Sequence, residues 1–512
     1  MDSPKEIDAK TWVAFISMVF GMFMAVLDIQ IVASSLNQLQ AGLFASRDEI
    51  NWIQSSYLIA EVIIIPISGW LTKAFSTRII FAVSCAGFTI TSLACAMAWD
   101  LNSMIIFRAL QGLFGGSMIP VAFSVVFTIF PRKMQSTVIV ITGLVVTVAP
   151  ISGPIIGGYI TDYLSWHYLF LLNLVPGVLV TVLVLKLVDF DQPDYSLLKR
   201  IDFLGIILIA LSLGTFQYVL EEGNSLEWFN SKLIIFLSII AFVSFVMLIF
   251  QELRVENPII ELRSLSNFNF SFSCIFSFVI GWGLYTSVFI MPMFLGYIKG
   301  LTSIQIGEYL CVMGFFQLLS APCAGFLSKK IDLRIILFVG LIMFGSGLLM
   351  NSYITHDSGF KDFFLPQALR GFALMFCFLP ITSLAYATLT KKQIKSASGL
   401  YNLMRNLGGA VGLAVASNYL SSFTQKNYAA LSSNIESTND LLNQRLHTLK
   451  ENFELFNYYD PEQSALQYID SVIQREAYVI SFNQVNIYIS LLFFISAISV
   501  VFIKKAKPEE ES

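Results

Sequence analysis

Few ionisable side chains lie inside the long apolar runs of this chain, and those few are the candidates for chemistry. Asp28, Glu61, Arg108, Arg370 and Arg405 stand within such runs, and Glu308 lies nearer the outer end of one, where it can face water. A charge placed in hydrocarbon is costly and is therefore expected to be paired or functional. At a rise of about 1.5 Å per residue, Asp28 and Arg108 each lie ~9 Å below the outer ends of their helices. They are expected to pair or to share a water-filled cavity; a fixed packing bridge is the alternative. Glu61 falls near the middle of its run. A carboxyl removed from water can load and lose a proton as its surroundings change, which makes Asp28, Glu61 and Arg108 the candidates for proton coupling. For Glu61 the alternative is a carboxyl that stays protonated and hydrogen-bonds a neighbouring helix. His167, His356 and His447 all lie at or beyond the ends of apolar runs, so proton coupling must use carboxylates.

The amides Gln30, Gln111, Gln367 and Asn402, with Arg370 and Arg405, are candidates for lining a substrate cavity between helices. Arg108 and Gln111, and again Gln367 and Arg370, are spaced i,i+3 and so share a helix face. One run is punctuated by Gly143, Pro150, Gly153, Pro154, Gly157 and Gly158. Prolines remove backbone donors and bend a helix, and glycines let a neighbouring helix approach closely. A kinked, close-packed helix without a part in transport is the alternative. The six cysteines lie inside apolar runs without metal-ligand spacing, so neither a metal site nor a disulfide framework is expected. No His-Glu-x-x-His or Gly-x-Ser-x-Gly pattern points to catalysis.

The elements that must hold these residues are helices in a bilayer. The chain has 512 residues, 56% hydrophobic and 13% charged, with 46 Phe. An ordinary soluble domain is about 25% charged. A net charge of −3 leaves no footprint for nucleic acid. A run of roughly 20 apolar residues spans the hydrocarbon core. Fourteen such runs begin near Trp12, Trp52, Ile79, Ser103, Ser136, His167, Phe203, Leu233, Phe272, Ile304, Leu333, Leu365, Ala397 and Val485. The first is too long for a secretory h-region and reads as a span. With the N-terminus inside, twenty Lys and Arg fall on the cytoplasmic side, from Lys5 and Lys10 to Lys504, Lys505 and Lys507. The short external loops hold Arg47, Lys299 and Lys361. This asymmetry predicts that both termini are cytoplasmic.

A repeat divides the chain. Pro66-x-x-Gly69-x-Leu71-Thr72-Lys73-x-x-x-x-Arg78-Ile79-Ile80 returns 256 positions later as Pro322-x-x-Gly325-x-Leu327-Ser328-Lys329-x-x-x-x-Arg334-Ile335-Ile336. Ala109-Leu110-Gln111-Gly112 is echoed by Ala368-Leu369-Arg370-Gly371, with Pro120 and Pro380 following. Repeated halves with a site near the midplane are the architecture of secondary transporters. Six spans per half would separate the copies by about 200 residues, allowing some 30 per span and loop. The surplus predicts two inserted helices near 203–220 and 233–251. The expected organisation is an N-terminal six-helix bundle over 1–190, two linker helices within 191–265, and a C-terminal six-helix bundle over 266–512. The last includes a polar external segment, 420–484. Within it Asp460-Pro461-Glu462-Gln463 is a helix start. Ala465, Leu466, Ile469, Val472 and Ile473 then follow at helical spacing. Their apolar face meets either an adaptor or the transporter itself.

Taken together these motifs resemble the major facilitator superfamily. Leu27-Asp28-x-x-Ile31-Val32 is similar to its span-one motif, and Arg108-Ala-Leu-Gln111-Gly112-x-x-Gly115-Gly116 to its span-four motif. The Gly-Pro run from Gly143 to Gly158 resembles its antiporter motif. The segment Gly69 to Arg78, repeated as Gly325, Lys329 and Arg334, resembles its cytoplasmic loop motif. Fourteen spans with a long external loop before the last look like the EmrB/QacA branch, and the resemblance covers essentially the whole chain. It implies an all-α integral membrane protein of the major facilitator fold, in the inner membrane. It also implies proton-driven efflux of hydrophobic or amphipathic compounds by alternating access, and so antibiotic resistance. The proton gradient is the energy source, without a cofactor. Proton coupling is carried over to Asp28 and Arg108, and the antiporter motif to Gly143, Pro150, Gly153, Pro154, Gly157 and Gly158. Implied partners are a periplasmic adaptor of the EmrA type and an outer-membrane channel of the TolC type. The chain departs from the pattern at Lys73, where the loop motif has an acid, at Ser76, where it has glycine, and at Asn483-Gln484, where the branch tends to an aspartate. Export of one endogenous metabolite, such as a siderophore, is the rival function.

Overall fold

The computed structural model of the chain describes residues 8–46, 49–387, 389–433, 440–455 and 460–504. Lys5, Arg47, Lys505 and Lys507 lie outside the described residues, as do the side chains of Pro150 and Pro154 within a helix. Seventeen α-helices follow in order among the described residues. They are α1 (Ala9–Ser34), α2 (Leu36–Leu43), α3 (Trp52–Phe75), α4 (Thr77–Ala96), α5 (Leu101–Ile129), α6 (Arg132–Tyr163), α7 (His167–Leu171) and α8 (Leu174–Leu187). Next come α9 (Phe203–Glu222), α10 (Lys232–Arg254), α11 (Phe268–Lys299), α12 (Ser303–Leu327), α13 (Leu333–Asn351) and α14 (Phe360–Tyr386). The chain closes with α15 (Lys391–Ser433), α16 (Asp440–Leu455) and α17 (Pro461–Ser499).

Twelve helices, counting α7 and α8 as one, are long and apolar enough to cross a membrane among the described residues. α6 and α15 stand where the fifth and thirteenth apolar runs begin. Helices dominate because a bilayer offers backbone groups no water, so each segment must satisfy its own. Their starts are chemically marked. Asp100 caps α5, its Oδ1 accepting from Ser103 N at 2.8 Å, and Thr302 and Gln305 form a capping box on α12. Asp460 Oδ1 accepts from Gln463 N at 3.0 Å, and α17 then runs unbroken from the polar segment into the last span.

The helices form two groups with matching internal contacts. α3 packs on α5, α1 on α6, and α4 on α5 and α8; α12 packs on α14, α11 on α15, and α13 on α14 and α17. Glycines set the closest crossings. A Cβ on Gly112 would stand 2.2 Å from Tyr57 O, and one on Gly371 would stand 2.1 Å from Met313 O. Tyr57 and Met313 are themselves 256 positions apart, so the sequence repeat is also a repeat of packing. The groups meet through α3 with α15 and α6 with α12. The inserted pair packs α9 on α3, with α10 on the outer side of α9. Phe242 and Phe250 of α10 are exposed, as suits a lipid-facing helix.

Beyond the apolar runs, α15 continues to Ser433 and α16 folds back on α17. Tyr428 OH donates to Asp470 Oδ1 at 2.5 Å, and Lys450 Nζ donates to Glu462 Oε2 at 3.0 Å. Ala465 is buried, Ile469, Val472 and Ile473 are half-buried and Leu466 is exposed. Most of the apolar stripe of α17 therefore packs on its own chain.

Candidate functional site

Asp28 and Arg108 meet. Arg108 Nη1 lies 2.5 Å from Asp28 Oδ2, and both side chains are buried. Asp28 Oδ1 also accepts from Asn173 Nδ2 at 2.7 Å and from Gln111 Nε2 at 3.2 Å. Arg108 donates further to Gln111 Oε1 at 2.8 Å and, from Nε, to Ile53 O at 3.2 Å. Its guanidinium lies over the Tyr57 ring at 4.4 Å. The pair is thus the centre of a network in which the aspartate has both oxygens engaged and a cation against it, while Arg108 Nη2 has no hydrogen-bond partner among the described residues. Sequence reasoning missed Asn173; its signal was one amide inside the apolar stretch that α7 and α8 share.

Glu61 is set apart from this network. It is buried, and Asn406 Nδ2 of α15 donates to its Oε1 at 3.5 Å. No cation lies within ion-pairing distance of it among the described residues. Glu61 and Asn406 line a pocket between the two groups of helices, with Tyr285 of α11 and Gln217 and Glu221 of α9. The position 256 residues further on is Gln317, a buried amide whose Nε2 and Oε1 have no hydrogen-bond partner. The repeat thus places a titratable group in one half and a non-titratable one in the other.

The other candidates are spread through the interior. Gln30 is half-buried, with its Cβ against the backbone of Gly153. Gln367 is buried with both amide atoms unpartnered, and Arg370, one turn on, places Nη2 4.0 Å from Met313 Sδ. Arg405 Nη1 donates to Asn402 Oδ1 at 3.4 Å. Its guanidinium sits among the rings of Phe378, Tyr401 and Phe123, at 4.5, 5.1 and 5.4 Å. Phe123 belongs to α5 and Phe378 to α14, so this cation lies where the two groups meet. None of Gln30, Gln111, Gln367, Arg370, Asn402 and Arg405 lines the pocket at Glu61. The residues that do, Gln217, Glu221, Tyr285 and Asn406, were not singled out from sequence. Asn406 follows Arg405 directly, and Gln217 and Glu221 are spaced i,i+4 near the end of a run.

α6 is one continuous helix through the Gly-Pro run. Gly153 packs on α1, and a Cβ on Gly143 would stand 2.6 Å from the Phe378 ring of α14. Gly157 and Gly158 are buried. In the first loop motif Gly69 is buried, Lys73 half-buried and Arg78 exposed. Ser76, at the position where the loop motif has glycine, has φ +77°. An acid reaches this loop from elsewhere in the chain. Asp191, from the segment after α8, accepts from Thr77 N at 2.9 Å and from Thr77 Oγ1 at 2.9 Å, and Asp194 N donates to Lys73 O at 3.1 Å. In the second copy Gly325 is half-buried and Lys329 exposed, and Asp332 pairs with Arg334 at 2.8 Å. Arg334 Nη1 also donates to Ile503 O at 3.2 Å, tying the loop to the end of the last helix.

The fold, the repeat and the buried charges define a polytopic transporter, and the sequence profile of the Major Facilitator Superfamily matches residues 13–413. The chain belongs to that family. It is 36% identical over 500 residues to the colistin resistance protein EmrB of Acinetobacter baumannii, covering 98% of each chain. It is 28% identical over 472 residues to the multidrug export protein EmrB of Escherichia coli, covering 92% of this chain and 91% of that one. Among solved structures, the human organic anion transporter MFSD10 aligns with a TM-score of 0.60 at 11% identity, over 97% of this chain and all of that one. A bacterial homologue of the human lysosomal transporter Spinster, inward-facing and occupied, aligns at 0.56 and 13% identity over 98% of each chain. The protein is a multi-pass membrane transporter.

Proposed function

We propose that the chain exports hydrophobic and amphipathic compounds across the inner membrane, driven by protons, with Glu61 as the residue that carries the coupled proton. The observation that supports this most is the contrast between its two buried acids. Asp28 is balanced by Arg108 and by two amide donors. Protonating it would leave a buried arginine without its counter-charge, a state costing about 3–5 kcal/mol. Glu61 accepts only from the Asn406 amide among the described residues and faces a pocket. It can take up and release a proton without dismantling a network, and its charge state changes what the pocket attracts.

Alternating access needs contacts at both ends of the interface to part in turn. At the end that carries the loop motifs, the Phe127 and Tyr386 rings meet at 4.3 Å, tilted by 40°, and Ser398 Oγ donates to Pro120 O at 3.2 Å. Towards the other end Gly307 faces Ile155 so closely that a Cβ would stand 2.5 Å from it. The excess of Lys and Arg on the loop-motif side supports a cytoplasmic position for that end and for both termini. The similarity to EmrB-type exporters supports an adaptor of the EmrA type and a channel of the TolC type as partners. The antiporter motif and the bundle boundaries at 190 and 265 belong to the same reading. Dye transport into proteoliposomes under an imposed pH gradient tests the function. Transport that ignores the gradient removes the antiport claim.

A further inference from the structure

The pocket at Glu61 has a wall that the repeat does not supply. Gln217 and Glu221 belong to α9, the first of the two helices inserted between the copies, and both line the pocket. α9 is held on α3 at three levels. Gly214 faces Ile63, the Tyr218 ring lies 5.3 Å from Trp52, and Ser55 Oγ donates to Glu222 Oε1 at 3.4 Å. Glu222 is thereby fixed towards α3, which turns the next side chain on the helix, Glu221, into the pocket. Gln217, one turn earlier on the same face, donates from Nε2 to Glu221 Oε1 at 2.9 Å and holds that carboxylate in place. The titratable groups around Glu221 are Glu61 and Tyr285 across the pocket and Tyr218 and Glu222 on its own helix. Among the described residues no lysine or arginine lines the space, and apart from Asn406 the rest of its wall is aliphatic, with Ile29, Leu58 and Leu413 among it.

We propose that Glu221 is a second acidic residue of the transport pathway, which makes the inserted helix α9 part of that pathway and selects for positively charged groups carried on an apolar body. Two carboxylates facing one space with no cation beside them attract a monocation, and the aliphatic wall accepts its apolar part. The inference rests on the pocket at Glu61 being the substrate site.

The test is binding to the purified full-length protein in detergent at pH 8, by titration calorimetry, with two probes of similar shape. Tetraphenylphosphonium is a permanent cation; triphenylphosphine oxide is neutral. The wild type is expected to prefer the cation by about tenfold. Glu221→Gln is expected to weaken the cation by about fivefold or more and to leave the neutral probe within about twofold, with Glu221→Asp close to wild type. Glu308→Gln, an exposed acid of α12 outside the pocket, is expected to keep the preference. Where Glu221→Gln does not elute as a monodisperse peak, Gln217→Leu is read instead, with a smaller change in the same direction. Equal weakening of both probes, an unchanged preference, or no preference in the wild type overturns the proposal. Binding needs no gradient, so this inference and the proton reading of Glu61 can each fail alone.

Discussion

Nη1 of Arg108 stands 2.5 Å from Oδ2 of Asp28 although the two residues are eighty positions apart. The pair joins α5 to α1, and Asn173 brings the turn before α8 into the same cluster. Removing one charge leaves the other buried without compensation. Asp28→Asn is therefore expected to lower stability by about 3–5 kcal/mol, and the double variant Asp28→Leu with Arg108→Met to recover most of it. Thermal unfolding of the detergent-solubilised variants measures this. A double variant that loses the sum of the two single-variant losses would show that the pair is not coupled.

Gly112 and Gly371 make the same contact in the two halves, so they should respond alike. Replacing either by Val pushes a side chain into the carbonyl of Tyr57 or Met313. Each is expected to cost about 1–3 kcal/mol or to prevent folding. Gly359→Ala, where a Cβ meets nothing within 4 Å, is the control and should leave the melting temperature unchanged.

Ser76 holds φ at +77°, a conformation that glycine adopts without a side-chain penalty. Ser76→Gly is expected to stabilise the protein by about 1 kcal/mol, less the small loss of its long cap to Ile79 N at 3.5 Å. A fall in melting temperature would show that the hydroxyl matters more than the backbone.

Asp191 engages the first turn of α4 from the segment after α8. Asp191→Ala removes an acceptor from Thr77 N and is expected to cost about 1 kcal/mol. Hydrogen exchange should rise at the start of α4 and stay unchanged at the start of α13, which Asp332 caps within its own loop.

Much of this was legible in the sequence, and the exceptions have physical causes. Each of the fourteen apolar runs begins within a helix, and twelve of the spans are long and apolar enough to cross a membrane among the described residues. Equal depth offered two expectations for Asp28 and Arg108, a pair or a shared cavity, and the structure shows the pair. The offset of 256 relates Tyr57 to Met313, and the echo of Ala109-Leu110-Gln111-Gly112 in Ala368-Leu369-Arg370-Gly371 marks the glycines that cross them. What sequence could not give was which helices close around Glu61. Asn406 lies 345 positions away, and nothing local marks it as a neighbour. Glu221 was hidden for another reason. It lies on an inserted helix, outside the repeat. The acid that bonds Thr77 beside the first loop motif had no local signal, because Asp191 lies 114 residues further along the chain.

The central claim is that Glu61 carries the coupled proton while Asp28 stays paired. The most direct measurement is proton release and dye movement in proteoliposomes under an imposed pH gradient, comparing wild type with Glu61→Gln. The account predicts that wild type moves dye against protons, and that Glu61→Gln loses gradient-driven movement while still exchanging dye for dye. Gradient-driven movement that survives in Glu61→Gln would contradict it.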